Sequence, residues 1–150
     1  MKTLYRWWAS LLLVMVILQV GFAGYGAFYA AHKIDKNTPK AITEHSFDHG
    51  FAPHIVFGYF VVLAGLIFLV IGAIAGIGRW RLGRHGALAG LLILQVLLAW
   101  FGFDVPGIGF FHPVNALVIF ALTGSIAYST WREAKLAQQA APVAEPEATA

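Results

Sequence analysis

The chain has 150 residues, 59% of them hydrophobic and only 11% charged, with a formal net charge of +3 and no cysteine. A water-soluble domain of this length cannot bury so much apolar surface, so the composition excludes a soluble globular protein and makes lipid the solvent. The missing thiols exclude disulfides, thiolate metal sites and thiol catalysis, and the small positive excess is explained by membrane topology and anionic lipid rather than by nucleic acid.

A hydrocarbon core is crossed by about 20 helical residues, and lipid offers no partner for an open backbone group, so each crossing must be helical. The first uncharged run covers residues 7 to 31 and holds the stretch VILQVGFAGYG at 16 to 26. It is well beyond the length of a signal-peptide core, which runs to about 7 to 15 residues, and is read as a true span. A polar loop at 32 to 53 follows, with His32, His45, Asp48 and His49. The second span, 55 to 78, opens on His54 and carries Gly58, Gly65 and Gly72. His85 stands beside Arg84 and reads as a flanking residue before the third span, 86 to 103. That span repeats the glutamine-centred word as LILQVLLAWFG at 92 to 102. After a loop at 104 to 111, His112 and Pro113 open the fourth span, 113 to 131. Residues 136 to 150 are rich in Ala, Pro and Glu and read as a disordered cytoplasmic tail beyond a membrane domain of residues 1 to 135.

Arginine and lysine weigh on one side of this arrangement. Lys2, Arg6, Arg79, Arg81, Arg84, Arg132 and Lys135 share a face, against Lys33, Lys36 and Lys40 on the other. The positive-inside rule then sets both termini in the cytoplasm. Aromatic residues are expected at both interfaces, with Tyr5, Trp7, Trp8, Trp80, Tyr128 and Trp131 at the inner one.

Alignment of the two words pairs Ile17 with Ile93, Leu18 with Leu94, Gln19 with Gln95, Val20 with Val96, Ala23 with Ala99 and Gly26 with Gly102. Gln, Ala and Gly at i, i+4 and i+7 share one helical face. Each word is followed by an outer loop and a histidine at the mouth of the next span. The expected fold is therefore an all-α membrane protein, a four-transmembrane-helix bundle built as two helical-hairpin repeats. Spans two and four lie diagonally in such a bundle, which sets His54 and His112 face to face at similar depth. Pro53 and Pro113 fit a first helical turn, where a missing N–H costs nothing.

Several readings of these residues stay open. His54 and His112 are either histidines resting in the headgroup region or two neutral imidazole ligands of one metal. Gln19 and Gln95 either bond between helices or face a cofactor or quinone. Gly58 and its stripe admit a partner helix or a flat macrocycle, and such small-residue faces also suit an oligomer. His45, Asp48 and His49 offer an alternative external metal site. Lys33, Lys36 and Lys40 either are solvated or neutralise haem propionates. No nucleophile with a base, phosphate loop or intramembrane carboxylate pair appears, so hydrolytic and ion-coupled chemistry lack machinery.

The ILQV words at 17 to 20 and 93 to 96, HIVFG at 54 to 58 and HPVNA at 112 to 116 resemble one four-helix half of the haem A synthase family. The resemblance runs over roughly residues 10 to 130. The chain also resembles a family of small bacterial four-span membrane proteins, from which no activity carries over. The haem A synthase resemblance implies that His54 and His112 flank a haem. That family has a carboxylate three residues before the first histidine and an arginine directly after it, where this chain has Phe51 and Ile55. Haem binding therefore carries over and the oxidative chemistry does not. The expected function is that of an integral membrane protein of a bacterial plasma membrane holding haem b and transferring electrons. Its expected partners are the bilayer and a quinone or redox subunit. The alternatives are a non-catalytic membrane subunit or scaffold, and an external metal-binding protein.

Overall fold

The computed structural model describes residues 2 to 36 and 44 to 140. Helices account for nearly all of them: α1 Lys2–Lys36, α2 Glu44–Ile74, α3 Arg79–Asp104, the single turn α4 Pro106–Gly109, and α5 Phe111–Gln139. Four of the five are long and apolar enough to cross a membrane. They form a four-helix bundle in which α1 packs on α2 and α5, and α3 packs on the same two. The backbones of α2 and α5 stay apart, so these helices stand on one diagonal, the arrangement expected from the histidine spacing.

Buried positions recur at steps of three and four: Tyr5, Ala9, Leu12 and Val16 on α1; Val61, Ala64, Phe68 and Ile71 on α2; Leu88 and Leu92 on α3; Ile119, Thr123, Ile126 and Thr130 on α5. That stripe is the seam expected of helices packed nearly antiparallel. Outside it the surface stays apolar, with Phe28, Ile74, Leu117 and Trp80 all exposed. A helix that is hydrophobic all round belongs in a membrane or a large core, and this chain is too small for the latter.

Helix boundaries differ from the sequence reading in ways that packing explains. Helix α2 starts at Glu44, well before residue 55, so Pro53 sits inside the helix and not in its first turn. Its ring removes the amide that would bond the carbonyl of His49. The preceding turns are held instead by a close crossing with α1. A Cβ on Gly50 would meet the Gly26 carbonyl oxygen at 3.1 Å and Tyr29 Cδ1 at 3.0 Å, and one on Gly26 would meet the Phe51 ring at 2.7 Å. Phe47 stacks on Phe51 with ring centres 4.6 Å apart. The loop expected at 32 to 53 is thus mostly helix, and α1 itself runs to Lys36.

The reversal from α2 to α3 is made by Gly76 and Gly78, with φ of 63° and 87°, a region side-chain-bearing residues avoid. Helix α5 continues to Gln139 because the sequence there is rich in helix formers and Glu133 is anchored to Arg81 by two bonds of 2.6 Å. Residues 136 to 139 are therefore helical rather than disordered, and the rest of the expected tail, 141 to 150, lies outside the described residues.

The end of the bundle carrying the N-terminus of α1 is tightly closed. Trp131 Nε1 donates to Ser10 Oγ at 2.8 Å, Arg84 to Ser125 Oγ at 2.8 Å, and Trp7 meets Trp131 edge to face. Tyr5 and His85, expected at the interface and in a flanking segment, are instead core residues at 6% and 2% exposure. The His85 Nδ1–H donates to the Arg81 carbonyl at 2.8 Å, so its Nε2 accepts from the Tyr5 hydroxyl at 3.1 Å. Tyr5 stacks on Phe68, and the His85 ring lies against Phe68 at a tilt of 46°. The pair is buried because α3 begins at Arg79, which carries His85 into the second turn and onto the seam.

Candidate functional site

At the opposite end the buried positions change character. The described residues buried there are Gly26, Ala30, Ser46, Gly50 and Asn115, all small or polar, and no large apolar side chain among them fills the middle. A cavity of about 180 Å³ takes that place, lined by residues of α1, α2, α3 and α5. Its polar lining includes Gln19, His54, Gln95 and His112, with Tyr59 and Trp100 beside them, among valine, leucine, alanine, isoleucine and phenylalanine. Ile55, Tyr59, Trp100 and Phe103 on its rim are exposed, so the cavity opens towards the outside of the bundle along α2 and α3.

The four polar residues are joined pairwise by the same exchange of bonds. Gln19 Nε2 donates to the His54 carbonyl at 2.8 Å, and His54 Nδ1 donates back to the Gln19 carbonyl at 3.1 Å. Gln95 Nε2 donates to the His112 carbonyl at 3.0 Å, and His112 Nδ1 donates back to the Gln95 carbonyl at 3.0 Å. A backbone carbonyl can only accept, so each Nδ1 carries the proton. Each Nε2 is then left with its lone pair, the tautomer that ligates a metal.

The two rings stand across the diagonal with centres 6.1 Å apart and planes 67° apart. An imidazole nitrogen binds a first-row metal at about 2.0–2.1 Å. The ring centre lies about 1.1 Å behind that nitrogen, so two trans imidazoles on one metal set their centres about 6.2 Å apart. The separation and the tautomers both suit a shared ion, and the second nitrogen of each ring already has the carbonyl partner that such ligands need for orientation.

Glycine roles separate along α2. A Cβ on Gly58 would meet Gln19 Nε2 at 2.9 Å, so Gly58 gives the amide its place beside His54. Gly65 and Gly72 instead receive Leu92, Ile77 and His85, and serve helix packing. In both words the closing glycine admits close contact, Gly26 with Phe51 and Gly102 with Gly109.

His45 and His49 lie one turn apart on α2 with ring centres at 4.5 Å. Among the described residues no group of three or more His, Cys, Asp or Glu side chains gathers, either around His45 and His49 or around His54 and His112. Lys33 Nζ lies 5.3 Å from the Tyr29 ring centre and not at the cavity. The side chain of Lys36 and all of Lys40 fall outside the described residues.

Asn115 is a site residue that the sequence reading passed over. It is buried, and its Nδ2 donates both to Gln95 Oε1 at 2.7 Å and to the Leu91 carbonyl at 2.9 Å. Its signal was available: it is a polar residue one helical turn after His112, inside an apolar span. Comparison with family models, with curated proteins and with solved structures finds no match, so the geometry carries the functional argument alone.

Proposed function

We propose that the chain is a multi-pass protein of a bacterial plasma membrane, made of two related helical hairpins with both termini cytoplasmic. It holds one b-type haem between His54 and His112 and passes electrons to or from a quinone or a redox subunit. One observation carries this reading: two imidazoles, each fixed as the Nδ1–H tautomer by a backbone carbonyl, face each other at 6.1 Å across a cavity. The orientation rests on the arginine excess at the closed end, where Arg6, Arg79, Arg81, Arg84 and Arg132 gather.

A bound haem iron supplies a one-electron couple. The protein's own contribution is to hold the two imidazoles across the cavity from each other, to strengthen their Nε2 lone pairs through the Nδ1–H bonds, and to line the space with apolar walls. A macrocycle is larger than the enclosed part of the cavity, and its edge would occupy the opening beside Ile55, Tyr59, Trp100 and Phe103. Gln19 and Gln95 serve as positioning residues, since each acts on the ligand through its own backbone carbonyl and its amide.

The test is an absorption spectrum of protein purified in detergent from a haem-replete host. A reduced-minus-oxidised α-band is expected in the parent, with His54→Ala and His112→Ala each converting the six-coordinate signature to a five-coordinate one. A parent without any haem band overturns the proposal and leaves a helical membrane scaffold.

A further inference from the structure

The two Gln–His pairs differ in one respect. On the α3 and α5 side, Gln95 Oε1 accepts from Asn115, whose second amide hydrogen goes to Leu91, so the amide is tied at both ends. The residue in the corresponding place after His54 is Phe57, which has no polar atom. Gln19 Oε1 is accordingly buried with no hydrogen-bond partner among the described residues. Gln19 Nε2 also stands 3.5 Å from His54 Nε2, the outer limit of a hydrogen bond. Among the described residues the bonds of His112 involve its carbonyl and its Nδ1, and none reaches its Nε2.

A buried acceptor without a donor adds nothing to the hold on its side chain, so the α1–α2 clamp is tied by fewer bonds than the α3–α5 clamp, and the second N–H of Gln19 is left beside His54 Nε2. At Gly58 the Gln19 amide nitrogen fills the place a side chain would take, 2.9 Å from where a Cβ would lie. Rotation of that amide brings its free N–H onto His54 Nε2 and stabilises the imidazole when it is not holding a metal. Nothing comparable receives His112.

We infer that His54 and His112 are unequal ligands: His112 is permanent, and His54 exchanges for a small neutral lone-pair donor of the carbon monoxide class, which binds the reduced iron on its α2 side. The inference rests on the haem reading given above. The step is a ligand substitution without redox change. The bond between His54 Nε2 and iron breaks, its electron pair stays on nitrogen and accepts the Gln19 N–H, and the incoming lone pair forms the new bond. The protein then binds a small ligand as well as transferring electrons.

The experiment titrates the dithionite-reduced, haem-loaded protein with carbon monoxide and follows the Soret band. The parent is expected to shift fully at accessible gas concentrations. Phe57→Asn, which offers Gln19 Oε1 the donor that Gln95 already has, is expected to weaken binding at least tenfold. Gln19→Met, which removes the N–H that receives the displaced imidazole, is expected to weaken it similarly and guards against misfolding of the first variant. Asn115→Leu, which loosens the other clamp, is expected to strengthen it. A reduced α-band that carbon monoxide leaves unmoved overturns the inference while the haem reading stands. Equal affinity in the parent, Phe57→Asn and Gln19→Met overturns the role given to the clamp. Absence of an α-band in the parent removes the haem reading and this inference with it.

Discussion

Replacing each glutamine by methionine, which keeps the length of the side chain and removes its hydrogen bonding, is expected to give opposite results at the two sites. Gln95→Met deletes two bonds, the donation to His112 and the acceptance from Asn115. Interhelical hydrogen bonds in membranes are worth about 0.6 kcal/mol each and at most about 1.7. The deletion also strands one hydrogen of Asn115, a residue only 7% exposed, at a cost of about 1–3 kcal/mol. The sum is a loss of about 2–4 kcal/mol. Gln19→Met deletes one bond to His54 and also removes a buried oxygen that has no partner. The loss of about 0.6 kcal/mol is then offset by relief of about 1–3 kcal/mol, so the variant is expected to be as stable as the parent or up to about 2 kcal/mol more stable. Reversible unfolding of the haem-free protein by SDS in mixed micelles measures both. Equal destabilisation by the two substitutions would refute the reasoning, because it would mean that the stranded acceptor has no energetic weight.

The core pair at the closed end gives a further test: Tyr5→Phe leaves His85 Nε2 without its donor and should cost about 1–3 kcal/mol. Adding His85→Leu to that variant should restore part of the loss, and a double mutant less stable than Tyr5→Phe would argue against the bond. Alanine at the close-packed glycines should grade with what the new methyl meets. Gly102→Ala meets the backbone of Gly109 at 2.7 Å and must displace α4, whereas Gly65→Ala meets only the tip of Leu92. Thermal unfolding of the two variants should show the larger loss for Gly102→Ala, and the reverse order would mean that α4 is free to move.

The helical composition was legible because a run of uncharged residues leaves the backbone no alternative in lipid. The diagonal pairing of α2 and α5 followed from spacing, since a histidine after each outer loop returns to the same depth. What was not legible is which face of each helix turns inward. In a soluble helix polarity marks the outside, but here both faces are apolar, and only the three-and-four spacing of positions such as Tyr5, Ala9, Leu12 and Val16 records the seam. Tyr5 and His85 were misplaced for that reason: an aromatic residue near a span end looks the same whether it anchors in headgroups or packs inside. The early start of α2 was hidden by Pro53 and by the polarity of 44 to 52. Neither feature reveals that Gly26 and Gly50 let two helices touch there. Asn115 was legible in principle, but its role depends on the rotamer that carries it to Gln95.

The contrast between the ends of the bundle bears on how a cavity survives in so small a bundle. At the closed end Leu12, Phe68, Leu88 and Ile126 are almost wholly buried, and stability there comes from packing. At the histidine end packing gives way to a cavity, and the helices are kept in register by glycine crossings and by backbone-directed bonds from Gln19, Gln95 and Asn115. Bonds of that kind fix position without filling volume. Lipid adds no hydrophobic force between helices, so leaving the middle unfilled loses dispersion contacts but does not expose apolar surface to water. A soluble bundle of this length would be far more sensitive to such a void. The membrane therefore allows this chain to leave one end of its interior open around four polar side chains while the other end holds the fold.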